Sequence, residues 1–434
     1  MKKQTKKSWI ISADMGYGHQ RAAYPLKDIA NERIITANSD KIISEEEKKS
    51  WRKARIFYES ISKMSQLPII GKLSMKLLLA AQKINPYYPL REDSLPTFPT
   101  WYLQKKIQKG LSKGLIEYIK KSNLPSIHTF FITAIAANHH KLPNTYCIIC
   151  DTDLNRIWVP LKSKETSIKY FVPCNHAYKR LEMYGVPKKN IYLTGFPLPK
   201  ECIGGTESPI TKKALSRRLI NLDPNKHFLN THKPALKKVL GKEFNLEKKP
   251  EPIMITYVVG GAGAQKKLAT KIIKSLKNKI LLGEMKLCLV AGTHLDVKQY
   301  FEEKIKEIGL AETFNKNVHI IFELTKKDYF KKFNEQLNKT DILWTKPSEL
   351  SFYCALGIPL LLSPPIGAHE IYNKNWLHFI GAGIDQLKPE FAADWIEEGL
   401  ANGFYARKAW NGFLDAPRLG VYEIEKIISE IKNN

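Results

Sequence analysis

The stretch Asp14-Met15-Gly16-Tyr17-Gly18-His19 carries the first chemistry in the chain. It follows Trp9-Ile10-Ile11, which reads as a β-strand, and precedes Gln20-Arg21-Ala22-Ala23, which reads as the opening of a helix. A strand that breaks at glycine and restarts as a helix sets backbone N–H groups and a helix N-terminus at the carboxyl edge of a sheet. Open α/β proteins bind ligands at that edge. The loop also delivers His19, which can take or give a proton near neutral pH. A second stretch repeats the pattern: the apolar run Ile253–Val259 leads into Gly260-Gly261-Ala262-Gly263-Ala264-Gln265. Small residues there let the backbone close on a phosphate, and the helix dipole favours its charge. Neither loop fits the GxGxxG fingerprint of dinucleotide-binding dehydrogenases.

Elements that would position these loops alternate along the chain. Strand 8–13, helix 19–31 and a short strand ending near Asp40 come first. Three helices at 46–65, 70–84 and 98–121 follow, and then strands and helices alternate again to 194. From 200 to 252 prolines and lysines break the pattern, which reads as a linker and a basic loop. A second alternating set begins at 253, and 419–432 reads as a closing amphipathic helix. The expected fold is α/β, with two Rossmann-like domains facing each other across a cleft and a helical insert in the first. The expected boundaries are 1–200 for an acceptor-side and membrane-facing domain with the insert at about 46–121, 201–252 for the linker and 253–400 for a nucleotide-sugar domain. A helical segment at 401–434 would pack back on the first domain.

The chain has 434 residues, enough for two cores, and its hydrophobic content of 43% marks it as globular. Its formal charge is +27, concentrated in the first 125 residues and in 200–249. Such an excess suits an anionic partner, whether a phosphorylated substrate, an anionic bilayer or nucleic acid. No ribonucleoprotein motif, Cys/His finger or basic zipper accompanies it, so nucleic acid is not expected. The six cysteines are scattered. Cys147 and Cys150 lie in an apolar strand and point to opposite faces, as buried thiols in a reducing compartment would. The basic N-terminus lacks an apolar core of signal-peptide length, and no apolar run reaches 18 residues, so a cytoplasmic protein without a membrane span is expected. His139-His140 has no partner at metal-ligand spacing. Asp151 and Asp153 end a strand, where they either line a cleft or cap a turn, and Trp158 reads as packing.

In order along the chain, these residues resemble a known group. The chain is similar to GT-B glycosyltransferases of the clan that contains monogalactosyldiacylglycerol synthase, the processive diacylglycerol glucosyltransferases and the lipid II N-acetylglucosaminyltransferase. Asp14–His19 is similar to the clan's D-x-G-G-G-H loop, and Asp40 sits where those enzymes place an Asp after the second strand. Asp151-Thr152-Asp153, Trp158-Val159, Gly185-Val186-Pro187 and Thr194-Gly195-Phe196-Pro197 follow the clan's run to its linker. Gly260–Ala264 matches the phosphate loop. Ala355-Leu356-Gly357-Ile358-Pro359, Pro365, Gly367, Glu370, Asn373 and Gly381-Ala382-Gly383 match the region that holds the nucleotide sugar.

The resemblance implies an inverting, metal-independent transfer of a sugar from a nucleotide donor, UDP-linked in most of these enzymes, to a lipid-type acceptor at the inner face of a membrane. The nucleotide sugar is a co-substrate, and no cofactor is implied. Inverting transfer needs a base for the acceptor hydroxyl and positive potential for the departing diphosphate. His19 would be the base, with Asp40 as the competing candidate. Asp14, Gly16, Tyr17 and Gly18 would form the acceptor-side loop, and Tyr17 with the basic helices at 51–121 would face the acceptor or the bilayer. The N–H groups of Gly260, Gly261, Ala262, Gly263 and Ala264 would hold phosphate. Lys346, Ser348, Glu349, Gly367 and His369 would line the donor site, and Glu370 and Asn373 would bond sugar hydroxyls.

The chain also departs from the pattern. Phe352 stands where the lipid II enzyme has its ribose-binding Glu, and Lys346-Pro347-Ser348 replaces a small, glycine-containing turn. Either Glu349 reaches the ribose from one helical turn away, or the donor is not a standard uridine diphosphate sugar, or donor binding has been lost. The alternatives to a glycosyltransferase are therefore a divergent or non-catalytic GT-B-scaffold protein and a sugar-nucleotide epimerase.

Overall fold

A computed structural model describes residues 6–52, 84–260 and 265–431. The chain forms two units. The first comprises the residues up to Leu198 together with Ile366–Asn373 and those from Leu419 onward; the second comprises Pro199–Pro365 and Lys374–Arg418.

In the first unit six strands make one sheet: β1 (Ser8–Ser12), β2 (Ala30–Thr36), β3 (Ser126–His128), β4 (Thr145–Ile148), β5 (Lys169–Val172) and β6 (Ile191–Leu193). Their order is β2-β1-β3-β4-β5-β6. Every pair is parallel. The central strands are apolar on both faces, as a sheet covered by helices on each side requires. Ile10, Ile11, Ile127, Cys147 and Phe171 are all buried.

The second sheet repeats the plan with β7 (Ile253–Val258), β8 (Met285–Gly292), β9 (Val318–Phe322), β10 (Ile342–Thr345), β11 (Leu360–Leu362) and β12 (Gly383–Asp385). Its order is β12-β11-β10-β7-β8-β9, and it too is parallel throughout. Both sheets thus reverse their order of strand addition once. The reversal lies between β1 and β3 in the first and between β7 and β10 in the second. The two Rossmann-like units expected from the alternation are present.

Two stretches differ from expectation. The helix read over 98–121 is two helices, Phe98–Gln108 and Lys113–Ile119. They are separated at Gly110, which takes φ +98° where a side chain would be strained. The helices expected at 46–65 and 70–84 fall mostly on residues outside the described set. The stretch 201–252, read as linker and loop, instead holds helices at Lys200–Ile203, Pro209–Asn221 and His227–Leu240 and belongs to the second unit. Its prolines mislead as punctuation. Pro209 occupies the first turn of its helix, where no N–H is needed. The helix is anchored by Arg218, which is buried. Its guanidinium donates to the carbonyl oxygens of Thr340 at 2.7 Å, Gly357 at 2.9 Å, Leu356 at 3.0 Å and Leu337 at 3.2 Å.

The last helix, Gly420–Ser429, belongs to the first unit and not with the preceding helix Phe404–Asp415. Its first residue presses on the chain just after β6. A Cβ at Gly420 would come within 2.6 Å of the Gly195 carbonyl oxygen and would also meet that of Phe196. Neither is the free end of a side chain, so neither can swing aside. Gly420→Ala should therefore lower unfolding stability by about 1–3 kcal/mol, read as a reduced midpoint in urea with an unchanged slope.

Candidate functional site

The β1 loop is shaped by its backbone. Gly16 takes φ +101° and starts the helix Tyr17–Ala23, which places His19 in the first turn. The Asn38 side chain ties this loop to the one after β2, accepting from the Asp14 N–H at 2.8 Å and donating to the Asp14 carbonyl at 3.0 Å. His19 meets Phe130, which follows β3, edge-to-face at 4.7 Å between ring centroids. Its ring is 6.1 Å from that of Trp158. The imidazole therefore stands at the reversal between β1 and β3, walled by aromatic rings.

Tyr17 was expected to face the acceptor or the bilayer. It is buried, and the Arg21 guanidinium lies 5.3 Å from its ring centre. Asp40 is also otherwise engaged. Both its oxygens take the Arg33 guanidinium, at 2.7 and 3.3 Å, and one accepts from the Ile42 N–H at 3.2 Å. Partial burial alone would raise its pKa, but Arg33 and the backbone donors outweigh that and hold the carboxyl below its ordinary value. A carboxylate so stabilised is a weak base.

The strand end Asp151-Thr152-Asp153 is the most densely bonded part of this edge. Asn373 is fully buried; its Oδ1 accepts from the Thr152 N–H at 2.8 Å and hydroxyl at 3.0 Å, and its Nδ2 donates to Asp151 at 2.8 Å. Glu370, also buried, accepts the Ile366 N–H at 2.7 Å. Both residues were expected to bond sugar hydroxyls, and in this structure those atoms hold protein instead. A Cβ at Gly367 would come within 2.8 Å of His369 Cε1, so an edge of the imidazole closes on that glycine.

Asp153 is buried and accepts four hydrogen bonds: from Arg180 Nε at 2.8 Å and Nη2 at 2.9 Å, from His176 Nε2 at 2.8 Å and from the Leu154 N–H at 2.8 Å. The sequence reading passed over His176 and Arg180. They stand on the helix Asn175–Met183 after β5, in a strand-to-helix turn with no glycine to mark it.

In the second unit, Gly260 follows β7 and Lys346 follows β10, so the pair occupies that sheet's reversal. A Cβ at Gly260 would lie 2.8 Å from Lys346 Cε, so the lysine stem crosses the glycine. Gly261, Ala262, Gly263 and Ala264 lie outside the described residues. Ser348 caps the 3-10 helix Glu349–Leu356 by accepting from the Leu350 N–H at 3.5 Å. Glu349 is buried at the start of that helix. Phe352 is core, its ring 5.4 Å from that of Trp376.

The chain is 21% identical over 394 residues to a processive diacylglycerol beta-glucosyltransferase of Bacillus pumilus, covering 87% of this chain and 82% of that protein. The fold, two Rossmann-like units each built on a six-stranded parallel sheet, is of the GT-B kind. The Bacillus subtilis enzyme of the same name is 24% identical over 244 residues, 55% of this chain and 50% of its own. A family described as a domain of unknown function, DUF6938, matches residues 242–388 of the GT-B-like chain. Among solved structures, a Staphylococcus aureus MnaA–UDP complex is similar at a TM-score of 0.48 and 12% identity, with 96% of this chain and 95% of that one covered. Acinetobacter baumannii MurG is similar at 0.44 and 14%, with 76% and 79% covered.

Burial alone would raise the Asp153 pKa, but the bonds from His176 and Arg180 outweigh it, and the carboxyl lies below its ordinary value. A carboxyl depressed on folding contributes stability that is present above its unfolded pKa, about 4, and is lost as pH falls through the lower folded value. Asp153→Asn should cost the GT-B-like chain about 3 kcal/mol at pH 7, because Arg180 loses its buried partner. Urea unfolding should show that gap shrinking below about pH 4.

Proposed function

We propose that this protein transfers a sugar from a nucleotide-diphosphate donor, UDP-linked, to a lipid-type acceptor at a membrane surface, with inversion at the anomeric carbon. One observation supports the reading: candidate residues of both units lie at the reversals of their sheets, where α/β proteins bind ligands. His19 stands at the reversal in the first unit, and Gly260 with Lys346 stands at the reversal in the second.

In this reading the acceptor hydroxyl gives its proton to His19 as its oxygen bonds to the anomeric carbon. The bond from that carbon to the diphosphate oxygen breaks on the opposite face, and the diphosphate leaves with the electron pair. The Lys346 ammonium offsets the charge that grows there. His19 is preferred to Asp40 because Arg33 already holds both oxygens of that carboxylate. Glu349 is the candidate for the ribose.

The lipid part of the reading is supported by the surface of the first unit. Leu95, Phe98, Trp101 and Tyr102 are exposed on or just before the helix Phe98–Gln108. Lys105 and Lys106 lie over the Trp101 and Tyr102 rings, at 5.4 and 5.3 Å. Aromatic rings beside lysines suit the boundary of an anionic bilayer. No helix among the described residues is long and apolar enough to cross a membrane, so attachment would be peripheral. A second reading, a scaffold that binds without transferring, is favoured by the burial of Phe352 in the core and by the engagement of Glu370 and Asn373 with protein.

Thermal shift with a panel of nucleotides and nucleotide sugars separates the two. A donor at 100 times its Kd should add about 2.7 kcal/mol of stability, and a panel without any response would sink the donor assignment. His19→Ala should lower kcat on diacylglycerol vesicles by about 10²- to 10⁴-fold with donor affinity unchanged; a wild-type turnover number would remove His19 from the role. Lys346→Ala and Glu349→Ala should each weaken UDP binding, by about tenfold for the lysine, measured by calorimetry.

A further inference from the structure

A cavity of about 570 Å³ opens at the amino edge of the first sheet, away from the carboxyl edge that carries His19. All of its lining residues belong to the first unit. They come from the starts of β4 and β5, from β6, from the segment before β1 and from the end of the last helix, Gly420–Ser429.

The floor follows from strand register. Tyr146 pairs with Lys169 and Phe171 with Tyr192, and alternate residues of a strand share a face, so all four stand on one face of the sheet. The Tyr146 ring stacks on Phe171 at 5.0 Å between centroids and 11° between planes. The Tyr192 ring meets Phe171 edge-on at 6.0 Å. The Lys169 ammonium lies 5.2 Å from the centre of the Tyr146 ring and donates to its hydroxyl at 3.4 Å.

A phenol that accepts from an ammonium still has its own proton to give. Tyr146 is buried, and its hydroxyl has no acceptor among the described residues. Burial also raises its pKa, so the proton stays on oxygen at neutral pH. Lys169 has no carboxylate partner among the described residues. Lys6 brings a second ammonium, which donates to the Ile431 carbonyl oxygen at 3.2 Å. One carboxylate, the exposed Glu430, stands against these two cations. The donors around the cavity lack an acceptor, and an oxyanion supplies one while offsetting the charge.

We propose that this cavity binds a phosphate group, seated on Lys169, Lys6 and the Tyr146 hydroxyl. The volume leaves room beside the phosphate for a small organic body, to which Asn144 offers an amide. Because the lining joins the last helix and the segment before β1 to the sheet, the ligand fastens both ends of the first unit to its core. The site stands apart from the transfer reading and does not depend on it.

The test is calorimetry on the full chain at constant ionic strength, with inorganic phosphate and glucose 6-phosphate as probes. Lys169→Gln and Tyr146→Phe should each weaken binding by about three- to tenfold. Tyr146→Phe keeps the ring stack, so it removes the proton without removing the packing. Glu430→Gln should tighten binding, because it takes away the one charge that repels the ligand. Tighter binding of glucose 6-phosphate identifies the ligand as a phosphate ester, and equal affinities identify it as the free ion. Absence of binding by either probe overturns the proposal. So does a loss in Lys346→Ala while Lys169→Gln binds as the wild type does, since the phosphate then sits in the second unit.

Discussion

A wholly parallel sheet sends the carboxyl end of every strand to one edge, and a single reversal in strand order opens one gap along it. Each unit of this protein obeys that constraint, and nearly everything of chemical interest follows from it. His19 and Phe130 meet because β1 and β3 are neighbours that leave in opposite directions. Gly260 and Lys346 meet because β7 and β10 are. Neither pair is close in sequence, and neither needs a dedicated scaffold beyond the order of the strands.

One cluster of buried charge stands at the ends of β4 and β5. Asp153 draws Arg180, His176 and a backbone N–H to one carboxylate, and the neighbouring Asp151 and Thr152 take up Asn373. Such clusters add little net stability relative to an apolar core, because each ion must first be stripped of water. What they add is definition: an imidazole held in one orientation, on an edge otherwise built from loops. The contrast with Asp40 is instructive. That carboxylate also has an arginine, but it ends in a closed pair with no imidazole to orient.

Much of this was visible in the residues. The two strand–glycine–helix stretches were read correctly as the openings of two α/β halves, since glycine in a turn and short continuous apolar runs report local geometry directly. The candidate roles were less visible, because they depend on what else arrives. Nothing local says that Arg33 will engage Asp40 or that Asp151 and Thr152 will claim Asn373 from more than 200 positions away. His176 was overlooked because its turn contains Pro173 and Cys174 in place of glycine. The helices at 209–221 and 227–240 were mistaken for loop because Pro209, Pro224 and Pro234 read as breaks, although Pro209 opens its helix and the buried Leu215, Leu219, Leu229, Leu236 and Leu240 hold both in the core.

Arg218 shows what that misreading would entail. Its guanidinium joins carbonyl oxygens from the end of one helix, the start of β10 and the turn before β11. A fragment trimmed to begin at β7 would keep those oxygens and lose the donor that satisfies them, along with Leu215 and Leu219 from the core. The second unit therefore starts at Pro199, some fifty residues ahead of its first strand, and the region matched as DUF6938, residues 242–388, begins only after that helical lead.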